Sequence, residues 1–166
     1  AITDHYSEGG AGGPKRMGPS QLPKYLSSLE GLGALKGLEV DIIEGIGPAI
    51  SRRAAEGFQV LIGGLHKLRG ISFWDDPTPI LDPRRFADEV REALVAAIES
   101  GLINVVAHPT WLPESIRADA DRLIDASWAE DLARAAASKG VAIEVSGRWR
   151  VPGEEFIRVC LRHGAK

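Results

Sequence analysis

Four histidines occur among the 166 residues, and three of them follow short apolar runs. Ala1-Ile2-Thr3 leads through Asp4 into His5, Val60 to Leu65 lead into His66, and Ile103 to Ala107 lead into His108. Such runs read as buried strands that deliver a functional group at their C-terminal ends. Three imidazoles converging at one end of a sheet point to a metal site, because neutral imidazole suits zinc, manganese or iron and such sites add carboxylates. Glu39 is the carboxylate placed in the same way, within the run Leu35 to Ile43. Asp41 would share its face, since side chains repeat every two residues along a strand. That face either binds something or is turned to solvent. The fourth histidine, His163, precedes Gly164 at a helix end, where a cation suits the helix dipole, and reads as structural.

Other chemistries find less support. The single cysteine, Cys160, lies on the apolar stripe of the last helix and reads as core. No serine stands in a Gly-x-Ser-x-Gly elbow. The Gly-rich stretch Ser7 to Gly18 carries neither a P-loop nor a dinucleotide pattern and reads as an irregular loop. Lys67 to Leu81 is a long loop with Arg69, Trp74 and Asp75, suited to a lid or substrate wall. Arg148-Trp149-Arg150 either meets a phosphate at the site mouth or is a solvated loop.

The elements that must position these groups alternate. Strands are expected at the N-terminus, at Leu35 to Ile43, Phe58 to His66, Leu102 to His108 and Val141 to Val145. Between them lie helices at Gln21 to Leu32, Pro48 to Gly57 and Pro83 to Ser100. The last of these has Phe86, Val90, Leu94 and Ile98 on one stripe and Gly101 as its stop. Ser127 and Glu130 have capping-box spacing, which predicts a helix from Ser127 to Lys139 stopped by Gly140. Pro152 opens a final helix. The rhythm shows no hairpin signal and predicts parallel βαβ units, either a doubly wound sheet or part of a β/α barrel. Both place function at the carboxyl ends of the strands.

Composition sets outer limits. Hydrophobic residues make up 44% and charged residues 26%, and the formal charge is −3, so nothing attracts nucleic acid or an anionic membrane in general. One domain, residues 1–166, accounts for the length. A lone cysteine excludes an internal disulfide and, with no signal peptide visible, points to the cytoplasm.

Taken in series, Thr3-Asp4-His5, Gly37-Leu38-Glu39-Val40-Asp41, Gly63-Gly64-Leu65-His66, Val106-Ala107-His108-Pro109 and Ile143-Glu144-Val145 resemble the polymerase and histidinol phosphatase (PHP) superfamily. The resemblance spans essentially the whole chain. It implies a parallel β/α barrel of the distorted seven-stranded PHP type with two or three divalent ions (zinc, manganese or iron) at its C-terminal rim. It assigns Glu39 as a bridge between two ions, His66 and His108 to the second of them, and His5 to a third. Asp4 or Glu144 would accept the other N–H of a ligand histidine, and Lys67, Arg69, Arg148 and Arg150 are candidates for contacts to a small phosphorylated substrate. The family's Asp-x-His-x-His and Ser-Asp-x-His motifs are not in this sequence, so the expected barrel is incomplete at both ends, a fragment of the domain.

The activity so implied is metal-dependent hydrolysis of phosphate monoesters, as by a histidinol phosphatase, with metal-activated water as nucleophile and catalysis resting on Glu39, His66 and His108. One alternative is a non-catalytic PHP module kept for binding. Another is a metal-dependent amidohydrolase, disfavoured because no lysine closes an apolar strand.

Overall fold

The computed structural model describes residues 1–9 and 16–166. Segment 10–15, the middle of the expected Gly-rich loop, lies outside the described residues. The strands are β1 (His5–Tyr6), β2 (Gly37–Ile43), β3 (Gly47–Pro48), β4 (Val60–Gly64), β5 (Lys67–Leu68), β6 (Ile71–Ser72), β7 (Val105–Val106) and β8 (Ala142–Ile143). The helices are α1 (Leu22–Ser28), α2 (Arg52–Ala55), α3 (Pro83–Glu99), α4 (Glu114–Arg117), α5 (Ala120–Leu123), α6 (Ala126–Lys139) and α7 (Glu154–Arg162).

Strands β1, β2, β4, β7 and β8 form one sheet in that order, every neighbour parallel. The spatial order follows the chain without reversal, so the sheet lacks the switch point of a doubly wound fold. Among the described residues the sheet is open: β1 and β8 do not pair, and the fold is α/β with a mostly parallel central sheet.

Register explains the placement of the site. His5, Glu39, Ile62, Val105 and Ala142 stand side by side across the strands, and Tyr6, Val40, Gly63, Val106 and Ile143 form the next row. Successive side chains face opposite ways. The second row is buried, with Tyr6, Val40 and Val106 at 0% exposure, and belongs to the main hydrophobic core. The first row is only half-buried and carries His5 and Glu39.

The long helices cover the buried side by ordinary amphipathic logic. On α3, Phe86, Val90, Leu94 and Ile98 are buried; Asp82 accepts the Arg85 N–H at its start, and Gly101 adopts positive φ past its end. Helix α6 packs between α3 and α7, and the buried Trp128 donates its indole N–H to the Ala87 carbonyl at 2.8 Å.

Several local expectations are corrected. Helix α6 is capped by Asp125, whose carboxylate accepts the Trp128 N–H at 2.9 Å; Ser127 is already inside the helix. Helix α7 begins at Glu154, behind Gly153, so Pro152 precedes it. Two antiparallel hairpins, β2–β3 and β5–β6, were invisible to the sequence reading. Two-residue strands are too short for alternation to register. The second turns on Arg69 and Gly70, both at positive φ, the geometry of a tight hairpin turn. Helices α4 and α5 fall between the strand ending at His108 and the helix expected from Ser127, where no element was expected.

The cap assignment is testable by urea unfolding. Asp125→Ala should destabilise the protein by about 1–2 kcal/mol, since it removes the cap and an ion pair to Arg84, whereas Ser127→Ala should change stability by less than about 0.5 kcal/mol.

Candidate metal centre

Glu39 reaches the half-buried face of the sheet because it is paired with His5 in the β1–β2 register. Asp41, two residues on, shares that face. His66 follows β4 and bridges the two carboxylates: its Nδ1 lies 2.7 Å from Asp41 Oδ1 and its Nε2 lies 3.1 Å from Glu39 Oε1. Gly64 makes this approach feasible. A Cβ there would stand 2.6 Å from His66 Cε1 and 2.9 Å from Glu39 Oε1.

Two further imidazoles face the same carboxylate oxygen. His5 Nδ1 is 3.6 Å from Glu39 Oε1, and His108 Nε2 is 3.8 Å from it. The donor atoms of His5, Glu39 and His66 all lie within 4.8 Å of one another. Both outer rings stand beside His66, with centroids 5.2 Å away for His108 and 5.5 Å away for His5. His108 has φ of +34°, a conformation that costs a non-glycine residue energy, and its N–H donates to Glu144 Oε2 at 2.6 Å.

Electrostatics favours ligand-competent forms. Burial opposes the Glu39 carboxylate, but the imidazoles of His108 and His66 outweigh it and hold its pKa well below the usual range. Asp41 behaves alike: burial raises it, and the hydrogen bond from His66 and the charge of Arg16 bring it down. An ionised Asp41 is acceptor-only, so His66 Nδ1 carries the proton and Nε2 presents its lone pair to Glu39. Two lone-pair atoms 3.1 Å apart require a cation between them, a proton or a metal ion. Burial lowers the His66 pKa, but the hydrogen bonds to Asp41 and Glu39 raise it on balance, which favours the proton there in the metal-free protein. Burial lowers the pKa of His5, keeping that ring neutral.

The other candidates fall elsewhere. Asp4 accepts the backbone N–H of His5 and no imidazole N–H, because its side chain turns back along the chain. Glu144 holds the His108 backbone, not its ring. The cavity around these groups, about 550 Å³, is lined by Arg16, Trp74, Asp75 and Trp149 among others, and by none of Lys67, Arg69, Arg148 or Arg150. Lys67 is exposed on β5. Arg69 sits in the hairpin turn and pairs with Glu89. Arg148 stacks on Trp149, and Arg150 lines a neighbouring cavity.

Arg16 is what the sequence reading missed as a site residue; Asp41 it placed on the Glu39 face without a role. Asp41 is 4% exposed and takes the place foreseen for Asp4 or Glu144. Arg16 reaches Asp41 Oδ1 at 3.2 Å, because Met17 pairs with the outer edge of β1 through the His5 carbonyl and the Ser7 N–H. A lone arginine beside a Gly-rich stretch gives no sequence signal of this. A row of indoles completes one wall: Trp74 lies 5.3 and 5.1 Å from the His66 and His108 rings, Trp111 6.0 Å from Trp74, and Trp149 5.1 Å from Trp111.

No protein-family model and no curated protein matches the chain. Among solved structures it is similar to a histidinol phosphate phosphatase from Lactococcus lactis subsp. lactis, crystallised with zinc, L-histidinol and phosphate. That likeness has a TM-score of 0.52 at 13% sequence identity and covers 99% of this chain and 82% of that one. At this identity the comparison shows likeness of fold, an α/β fold with a mostly parallel central sheet. Among the described residues no helix is long and apolar enough to cross a membrane.

The residues present fit a divalent ion. Imidazole nitrogen and carboxylate oxygen are the donors such ions take, and two atoms bound to one ion stand roughly 3.0–3.4 Å apart at ordinary bond lengths. His5 Nδ1 is buried without a hydrogen-bond partner and faces Glu39. Gly64→Ala should therefore leave the far-ultraviolet circular dichroism unchanged and lower zinc affinity by at least tenfold in calorimetric titration.

A second expectation concerns pH. The raised pKa of His66 stabilises the metal-free protein fully below its ordinary value of 6.5 and is lost as pH rises through the folded-state value. Metal binding needs Nε2 unprotonated and runs the other way. The rise in Tm on adding zinc should be small at pH 5.5 and grow towards pH 8; a rise independent of pH would remove His66 from the ligand set.

Proposed function

We propose that this chain is a metal-dependent phosphoesterase acting on a small phosphate monoester, built on a distorted PHP-type barrel that is incomplete at both ends. The observation that carries this reading is one carboxylate oxygen, Glu39 Oε1, approached by three imidazole nitrogens at 3.1, 3.6 and 3.8 Å. The PHP-like fold of the L. lactis phosphatase supports it. Glu39, His66, His108 and His5 would hold two or three ions, zinc, manganese or iron. When bound, such ions neutralise phosphate charge and lower the pKa of water.

The chain's own residues do the rest. Asp41 fixes the His66 tautomer and ring orientation. Arg16 balances the Asp41 charge at the cavity wall and offers its remaining N–H groups to an incoming oxyanion. Glu144 holds the strained His108 backbone in place. Trp74 covers the His66 and His108 rings and keeps bulk water off that side.

Hydrolysis of p-nitrophenyl phosphate by manganese- or zinc-loaded protein tests the reading. Activity should disappear with chelator, and Glu39→Gln or His66→Ala should lower kcat at least about a hundredfold. Asp41→Asn should weaken metal affinity roughly 10–100-fold. Metal binding with no phosphoester turnover would leave a binding module, and turnover of amides instead of phosphoesters would assign the chain to the amidohydrolases.

A further inference from the structure

The register that sets His5 beside Glu39 and Tyr6 beside Val40 brings Ser7 next, opposite Asp41 and on the face the two carboxylates share. On its other side Asp41 is paired with Gly64, which has no side chain to offer. Ser7 is therefore the one side chain that flanks Asp41 along this row. Its backbone is pinned. The Ser7 N–H donates to the Met17 carbonyl at 3.0 Å, and the Glu8 N–H donates to the Ala49 carbonyl at 2.8 Å. The Ala49 N–H donates in turn to the Asp41 carbonyl at 2.8 Å, so one network holds both backbones. Rotation of the hydroxymethyl group is the freedom left to Ser7.

Both residues are buried, Ser7 at 1% exposure and Asp41 at 4%. His66 and Arg16 both meet Asp41 Oδ1. Asp41 Oδ2 is sealed from solvent with no hydrogen-bond partner among the described residues, and Ser7 Oγ is left in the same condition. One of these atoms is an acceptor and the other carries a donor; each is costly to leave unpaired, and one bond would satisfy both. Burial pushes the Asp41 carboxyl up, and after His66 and Arg16 the Ser7 hydroxyl adds to the groups that bring it down, so the two side chains already act on each other. Ser7 does not line the metal pocket, which excludes it as a ligand and leaves it only Asp41 to act through.

We propose that Ser7 is a positioning residue of the metal centre: its hydroxyl donates to Asp41 Oδ2 and fixes the plane of that carboxylate. A carboxylate held at one oxygen pivots about it, and one held at both does not. Oδ1 then stays on His66 Nδ1, and the Nε2 lone pair stays aimed at the ion. The role rests on the metal-centre reading and requires no particular substrate.

The test is a double-mutant cycle read by calorimetric zinc titration. Ser7→Ala should weaken zinc binding about five- to tenfold in the otherwise intact chain and by less than about twofold in Asp41→Ala, where the group it acts through is gone. A second measurement uses the metal-free chain and stands even where Asp41→Ala fails to fold. With neutral rings, long-range 1H–15N spectra should show His66 protonated at Nδ1; Ser7→Ala should give a mixture with the Nε2–H tautomer, and Ser7→Thr, which keeps the hydroxyl, should restore the Nδ1–H form. A serine needed only for packing would lower Tm and leave the tautomer alone. Equal losses of zinc affinity in both backgrounds, or an unmoved His66 tautomer in Ser7→Ala, would overturn the role. A shifted tautomer in a chain that binds no zinc would keep the line from Ser7 through Asp41 to His66 and remove the metal reading; zinc binding with the tautomer unmoved would do the reverse.

Discussion

The centre depends on the contact between His66 and two carboxylates two residues apart on one strand. Asp41 settles which ring nitrogen carries the proton, and Glu39 thereby meets a lone pair. That arrangement is unfavourable without a positive charge between the partners, and the site is organised around supplying one. Gly64 belongs to the same constraint, since a single methyl on the neighbouring strand would fill the gap.

The support around this contact is layered by distance from it. Arg16 holds Asp41 by one N–H and lines the cavity itself, so it acts on the metal pocket both through that carboxylate and directly. Glu144 acts through a backbone N–H, holding His108 in a conformation that its own φ preference resists. The sheet supplies the common frame: one row of side chains is sealed beneath the helices, and the opposite row stays open enough to receive a ligand.

Periodic features were legible in the sequence. The stripe of α3, its Pro83 start and Gly101 stop and the apolar runs before His66 and His108 are local patterns, and local patterns are what a sequence displays. The parallel sheet followed from their alternation. Features fixed by distant partners stayed hidden. Asp41 and His66 are 25 residues apart, as are Arg16 and Asp41, and nothing near any of them foretells the pairing. Asp125 caps α6 through one carboxylate oxygen, while its other oxygen meets Arg84 from 41 residues away. The basic residues chosen as substrate contacts were chosen by charge and loop position; the hairpin turn took Arg69 and an indole face took Arg148.

The indole row has a consequence for how this molecule can be watched. Of its four tryptophans, Trp74, Trp111 and Trp149 stand in series from the imidazoles outward, and Trp128 is sealed in the helix layer. Three of the four ultraviolet-emitting indoles therefore line the metal pocket, the cavity beside it, or both. Ions or anions arriving there disturb the emitting groups themselves, and the protein reports its own occupancy without an attached dye.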